Sequence, residues 1–196
     1  MLANCPPENV LVFDIETVPV KAEFDSLEPA YQQMWIDKAS QKGLTEKYNS
    51  LAECWFNNAG IYAEFGKVVC ISAGFFHKKD NGQYEFRISS YANRDEGVLL
   101  HEFAETLDKY FADITRYYLC GHNIQEFDVP YLCRRMLVNG ISLPPLLDIA
   151  GKKPWEVKLL DTMQLWKFGD YKAFTSLKLL AHLFGIPTPK DDIQGS

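Results

Sequence analysis

Two acidic side chains end an apolar run near the N-terminus. Asp14 and Glu16 close a stretch of β-branched and aromatic residues, which predicts a buried strand over residues 10–15. Side chains two positions apart in a strand point to the same face, so both carboxylates can reach one cation. Oxygen-only ligands of this kind favour Mg²⁺ or Mn²⁺. The alternative interpretation is that the strand simply ends at Ile15 and that solvent surrounds both acids.

A second group of polar residues lies in the segment 121–132, Gly-His-Asn-Ile-Gln-Glu-Phe-Asp-Val-Pro-Tyr-Leu. The segment follows a predicted strand and leads into a predicted helix, so Asp128 falls in the first helical turn, where the positive helix end favours an anion. Taken alone, Asp128 is better explained as a structural residue. His122 alone is better explained as a hydrogen-bonding residue than as a ligand, and Asn123 is equally explained as a turn residue.

Together, residues 13–17 (Phe-Asp-Ile-Glu-Thr) and 121–132 resemble the first and second motifs of the DnaQ-like, or DEDD, 3′-to-5′ exonucleases. The amino-acid sequence of the two motifs is most similar to that of the predicted exonucleases related to the proofreading domain of family B DNA polymerases. The similarity also includes residues 64–69, 160–161 and 183–187. That family has a ribonuclease H-like fold, and the predicted order of strands agrees with it.

The resemblance implies a role for each residue of the two motifs. Asp14, Glu16 and Asp128 correspond to three of the four carboxylates that hold two divalent ions, Mg²⁺ or Mn²⁺, in such enzymes. Asp14 would bridge the ions, Glu16 would bind the ion that activates water, and Asp128 would support the other. Thr17 and Asn123 are similar to positions that contact the terminal nucleotide. The expected substrate is a single-stranded 3′ end, with DNA favoured over RNA but both left open by the sequence.

The family's third motif has no counterpart in this sequence. It supplies the fourth carboxylate, together with a Tyr or His four residues earlier, and normally follows the region similar to 183–187. Neither Tyr171 nor His182 is followed by an acid at that spacing, and Asp191 and Asp192 fall in a predicted loop. We therefore expect that the chain is truncated before this motif and is a poor nuclease as it stands.

Two other functions stay open from the sequence. The first is a catalytically inactive nucleic-acid-binding or interaction module that keeps the same fold. The second is a haloacid-dehalogenase-like phosphatase that uses Asp14. This chemistry needs an Asp where Glu16 stands and gives Asp128 no role, so it is the weaker alternative.

The remaining periodicity predicts the elements that position these residues. Strands are expected at 10–15, 67–76, 84–91, 117–120 and 157–160, and helices at 27–39, 51–56, 127–138 and 176–184, with a further helix capped by Asn93. Asn81-Gly82 predicts a hairpin turn, and Thr175 a cap for the last helix. The pattern predicts one α/β domain over residues 1–196, with a mixed central sheet flanked by helices and an insertion at about 19–60.

Composition narrows the class of protein. The 196 residues are 47% hydrophobic and 14% aromatic, which provides a sizeable core and excludes disorder over most of the chain. The sequence contains no apolar run of membrane-spanning length and no signal-like start, so we expect a cytoplasmic protein. Five cysteines without a Cys-x-x-Cys pair argue against disulfides and a thiolate zinc site, and we expect them to be reduced and mostly buried.

Charge is unevenly distributed along an acidic chain. The net charge is −6, but residues 131–196 contain 9 basic and 6 acidic residues. Between Lys152 and Lys178, six lysines alternate with aromatic residues: Trp155, Trp166, Phe168, Tyr171 and Phe174. Exposed rings and lysines are typical of single-strand binding. Buried rings with solvated lysines are the alternative, which the sequence favours because no spacing indicates a groove.

Overall fold

A computed structural model describes residues 5–187 and confirms the α/β, ribonuclease H-like fold. Its five-stranded sheet has the order β3-β2-β1-β4-β5. The strands are β1 (Val10–Pro19), β2 (Gly66–Lys78), β3 (Tyr84–Ala92), β4 (Tyr118–Gly121) and β5 (Leu159–Asp161). β2 is antiparallel to β1 and β3, whereas β4 is parallel to both β1 and β5. The carboxyl ends of β1, β4 and β5 therefore point towards one edge of the sheet.

Six α-helices lie between and after these strands in the described residues. They are α1 (Pro29–Gln41), α2 (Leu51–Asn58), α3 (Glu96–Tyr110), α4 (Asp128–Val138), α5 (Thr162–Lys167) and α6 (Leu177–Leu183). The sequence did not predict α5. Two predicted caps are wrong. Asp95, not Asn93, caps α3, and the side chain of Asn93 accepts from the backbone N–H of Asp95. Ser176, not Thr175, caps α6.

The main core lies between the sheet and helices α3 and α4. Alternation along β1 buries Leu11, Phe13 and Ile15 on the helix side of the sheet. The apolar side of α3 packs there, with Leu99, Phe103 and Leu107 buried. Val98 and Tyr110, near the two ends of the helix, are exposed.

A buried ion pair ties α3, α4 and β2 together. The guanidinium of Arg135 donates to both carboxylate oxygens of Glu96, with Nε 2.9 Å from Oε1, and to the carbonyl of Ala63 at 3.0 Å. Glu96 also accepts from the backbone N–H of Val68 at 2.7 Å and from the amide of Asn139 at 3.1 Å. Both charges are thus paired and hydrogen-bonded, which is the condition for burying them.

The segment 20–65, between β1 and β2, has its own aromatic cluster. Trp35 and Trp55 are fully buried and meet edge to face, with ring centroids 5.3 Å apart. The other buried members are Phe24, Leu27, Ala39, Cys54, Ala59 and Phe65. At the base of the segment, the N–H of Val20 donates to the carbonyl of Phe65 at 3.0 Å. This segment includes most of the predicted insertion.

The state of the cysteines and the lengths of the helices bear on two of the expectations from composition. All five cysteines are free, as predicted, but only Cys54 is buried, so the expectation of mostly buried cysteines is wrong. In the part of the chain that the structure describes, no helix is long and apolar enough to cross a membrane.

The aromatic residues after β5 are exposed, contrary to the interpretation that the sequence favoured. Phe168 is 91% exposed, Tyr171 86% and Phe174 73%. The chain leaves α5 at Phe168, which takes a left-handed conformation with φ 45°, and nothing among residues 5–187 buries the rings of Phe168, Tyr171 and Phe174. Trp166 is 37% exposed and packs against Phe184, with ring centroids 5.8 Å apart.

Candidate active site

The paired acids lie within a strand, not after its end. β1 continues to Pro19, and the side chains of Asp14 and Glu16 are exposed while Phe13 and Ile15 are buried. The two carboxylates therefore point to the same face of the sheet, as the alternation predicted. The strand therefore does not end at Ile15, as the alternative interpretation had it, but both acids are exposed to solvent, as that interpretation expected.

Asp128 lies beside these acids. It is the first residue of α4 and only 3% exposed, and its Oδ1 accepts a hydrogen bond from the backbone N–H of Ile15 at 3.2 Å. β1 pairs with β4 only as far as Val12, so Ile15 lies beyond that ladder. Asp128 provides an acceptor for the Ile15 N–H there. The contact places a buried carboxylate beside the backbone of the residue between Asp14 and Glu16.

The site disfavours the negative charge of Asp128. Burial raises the pKa of Asp128 to about 6, and repulsion from Asp14 adds to the shift, with a smaller effect from Asp161. The hydrogen bond from Ile15 acts in the opposite direction. Loss of solvent is therefore a larger cause of the raised pKa than repulsion between the acids. A cation at this place would stabilise the ionised form.

The loop before α4 holds Asn123 in a strained conformation. Asn123 has a φ of 64°, and its backbone N–H donates to Asp161 Oδ1 at 3.0 Å. Its side-chain Oδ1 is buried and accepts no hydrogen bond from any residue between 5 and 187. A buried acceptor without a partner carries a free-energy cost, and a donor from a ligand would remove that cost.

Asp161 organises this loop, and sequence reasoning gave it no role. It is 3% exposed, accepts from the N–H groups of Asn123 and Gln125, and caps α5 by accepting from Met163 at 2.9 Å. An Asp that follows a short apolar strand and precedes Thr162 is a helix-start signal, which could have revealed both the cap and α5. These backbone donors occupy its oxygens, so Asp161 is a positioning residue.

Gly121 and His122 hold the same loop against its surroundings. A Cβ at Gly121 would lie 2.9 Å from the carbonyl oxygen of Phe13, so the loop can approach β1 only with glycine there. His122 Nε2 donates to the carbonyl of Thr175 at 2.9 Å, and Nδ1 lies 2.9 Å from Thr162 Oγ1. His122 thereby connects the loop to the segment of exposed aromatic residues.

Thr17 forms a second contact between β1 and α4. The pairing of β1 with β2 shifts by one residue between Glu16 and Thr17, and Thr17 is half-buried. Its hydroxyl hydrogen-bonds to the hydroxyl of Tyr131, which in turn donates to the carbonyl of Gly60 at 2.8 Å. Burial raises the pKa of Tyr131, and the positive charge of Arg135 and, to a smaller extent, the bond from Thr17 partly offset this rise.

The chain matches the DNA polymerase family B exonuclease domain over residues 2–158. The protein belongs to this family. The structure is similar to that of the family B DNA polymerase from the hyperthermophilic archaeon Pyrobaculum calidifontis, with a TM-score of 0.47 and 18% identity. The similarity covers 92% of this chain and 18% of that polymerase, so this exonuclease domain spans less than a fifth of the polymerase's length. No curated protein matches the chain.

The donor chemistry of the exonuclease domain fits a hard divalent ion, although the side chains do not form a coordination shell. Asp14, Glu16 and Asp128 offer oxygen atoms only, which suits Mg²⁺ or Mn²⁺. Across residues 5–187, however, no three His, Cys, Asp or Glu side chains are arranged so that they could hold a metal ion. Asp191 and Asp192, the acids of the loop predicted near the C-terminus, lie outside the described residues.

Proposed function

We propose that this protein is a divalent-metal-dependent exonuclease that removes nucleotides from the 3′ end of single-stranded DNA. Membership of the exonuclease family supports the class of reaction. The observation that carries the proposal is the hydrogen bond from Ile15 to Asp128, which brings a buried carboxylate next to the strand that exposes Asp14 and Glu16. Within this proposal the chain is one exonuclease domain with an insertion at 19–60, it lacks the third motif, and it works in the cytoplasm.

The three carboxylates have different freedom to act as ligands. Asp128 is fixed by burial and by its bond to Ile15, whereas the exposed side chains of Asp14 and Glu16 can rotate towards it. When bound, two divalent ions would lower the pKa of the attacking water and stabilise the leaving oxygen. Because the pKa of Asp128 is about 6, this carboxyl is mostly ionised at pH 7.5 and available to a cation.

The environment of the loop supports a single strand as substrate. Asn123 has an unused buried acceptor, and Thr17 lies directly after Glu16, so we assign contacts with the terminal nucleotide to both. Phe168, Tyr171 and Phe174 expose rings on the segment that His122 connects to this loop. Unpaired bases can stack on such rings, while a duplex hides its bases.

Metal binding tests the site directly. Calorimetry with Mn²⁺ should show weak binding to the protein and none to Asp14→Ala, because that substitution removes the proposed bridging carboxylate. Mn²⁺ should also raise the melting temperature of the unmodified protein, since the unfolded chain has no preformed site. Asp37→Ala, which removes an exposed acid on α1, is the matched control and should bind as before. Equal affinity in Asp14→Ala and the control would refute the assignment.

Activity tests the function. End-labelled oligonucleotides should be degraded slowly or not at all with Mn²⁺ by the chain as it stands, because losing even one preorganised contact commonly costs about 100-fold to 1000-fold in rate. A protein extended through the third motif should release mononucleotides from the 3′ end and should prefer single strands to duplexes. If the extended protein binds the oligonucleotide without cleaving it, the inactive binding module is the correct alternative.

A further inference from the structure

A cavity of about 760 Å³ lies on the face of the sheet opposite Asp14 and Glu16. Leu11, which lines it, shares the buried face of β1 with Phe13, while the two acids alternate to the other face. The floor is formed by β2 and β3, and the opposite wall by the C-terminal half of α3 and the chain that follows it. The cavity is therefore separate from the candidate active site.

Small side chains create the space. Ala73 of β2 and Ser89 of β3 are paired in register, and both point from the sheet towards α3. On the opposite wall, α3 contributes Thr106, another small residue. The space is an open cleft, since Arg87, Ser89 and Tyr110 of its lining are exposed, and its volume lies within the range of about 300 to 1,000 Å³ that is usual for small-molecule sites.

The walls combine aromatic rings with positive charge. Phe75, Tyr91, Tyr110 and Phe111 line the cavity, as do other rings and three permanent cations: Lys78, Arg87 and Arg116. Among residues 5–187, Glu8 is the one carboxylate in the lining. The lining thus carries a net charge of +2 on a chain whose overall charge is −6. A positive concave surface on an acidic protein attracts anions.

The cations keep donor capacity for a ligand. Arg116 uses Nε to bond Asn9 Oδ1 at 2.9 Å and stacks on the Tyr117 ring, which orients its fork. Arg87 contacts Glu85 at 3.6 Å in an exposed ion pair, and such pairs contribute little to stability. A guanidinium has five N–H donors, so both arginines can still bind a phosphate.

We propose that this cavity binds a mononucleotide, with the base stacked among the aromatic rings and the phosphate held by Arg87 and Arg116. Rings alone would select any flat apolar molecule, and arginines alone any small anion. The two features line one cavity, so the ligand class that uses both is a flat aromatic ring joined to a phosphate.

Calorimetry with dAMP tests this proposal independently of the nuclease site. The titration uses the Asp14→Ala protein in EDTA, so that no metal held by the site carboxylates can bind the phosphate. Deoxyadenosine and inorganic phosphate are titrated separately. The dissociation constant of each should be at least about tenfold higher than that of dAMP. If either binds as tightly as dAMP, the cavity is only an apolar or an anion site, and the proposal is wrong.

Matched variants locate the site. Ser89→Tyr should fill the cavity and abolish dAMP binding, whereas Ile88→Tyr, on the exposed opposite face of the same strand, should leave it unchanged. Arg87→Gln should weaken binding about tenfold or more, while the exposed Arg94→Gln should not. Melting curves establish that each variant is folded. No binding of dAMP to the folded protein, or equal binding to Ser89→Tyr and Ile88→Tyr, overturns the proposal.

Discussion

Asp128→Asn should stabilise the protein at neutral pH in the absence of metal. The pKa of Asp128 is about 6 in the folded protein, above its usual value of 3.8, so the folded state binds this proton more tightly than the unfolded state does. Below about pH 4 both states are protonated and the carboxyl costs nothing. Between about pH 4 and pH 6 the unfolded state loses its proton while the folded state keeps it, so the free energy of unfolding falls over this range and is constant above about pH 7.

The size of this effect follows from the two pKa values. A difference of about 2 units corresponds to about 3 kcal/mol, reached in full above pH 7. Asparagine carries no charge and keeps an oxygen for the N–H of Ile15, so the substitution removes the cost without leaving that donor unpaired. Asp14→Asn should give a smaller gain, because repulsion from Asp14 is only the second cause of the shift.

Urea unfolding at several pH values in EDTA measures the effect. The free energy of unfolding of Asp128→Asn should exceed that of the unmodified protein by an amount that grows between about pH 4 and pH 7 and then stays constant. A difference that does not change with pH would refute the reasoning about desolvation. So would a variant that is less stable than the unmodified protein at pH 7.5.

Two further substitutions probe how the site is supported. Arg135→Met should lower the free energy of unfolding by about 3 to 5 kcal/mol, because it leaves the Glu96 carboxylate buried without its cation, and Glu96→Gln in the same protein should recover part of this loss in urea unfolding. Gly66→Ala should cost about 1 to 3 kcal/mol, because its Cβ would lie 2.1 Å from the Tyr131 hydroxyl, and Tyr131→Phe should partly rescue the melting temperature. Absence of either rescue would contradict these contacts.

Local patterns predicted much of the sheet and the placement of the paired acids. Alternation in residues 10–15 was enough to put Asp14 and Glu16 on one face, because that face depends only on the period of a strand. Asn81-Gly82 located the β2–β3 turn, where Gly82 has a φ of 81° that favours glycine. Residues 13–17 and 121–132 identified the family, because both segments resemble motifs of the same exonucleases and the two together are more specific than either alone.

Contacts between distant segments were beyond sequence reasoning. Glu96 and Arg135 pair across 39 positions, and nothing in either neighbourhood indicates the other. Asp161 joins two loops through backbone donors, which any sequence possesses. An average aromatic residue is buried, and the sequence therefore favoured buried rings. Phe168 is exposed because no element among the described residues covers it, and a local pattern cannot predict that.

The two ends of the segment 20–65 are joined by a hydrogen bond, and this limits which parts of the segment can change in length or sequence without affecting the sheet. Its two ends leave paired strands at Pro19 and Gly66, and the bond from Val20 to Phe65 joins them. Loop-closure entropy changes slowly with length, so shortening or exchanging the interior of this segment should leave the sheet register intact. Gly60 is the exception, because its carbonyl receives the Tyr131 hydroxyl beside Thr17. A graft that keeps residues 59–65 therefore retains the support of the site, whereas a shorter hairpin does not.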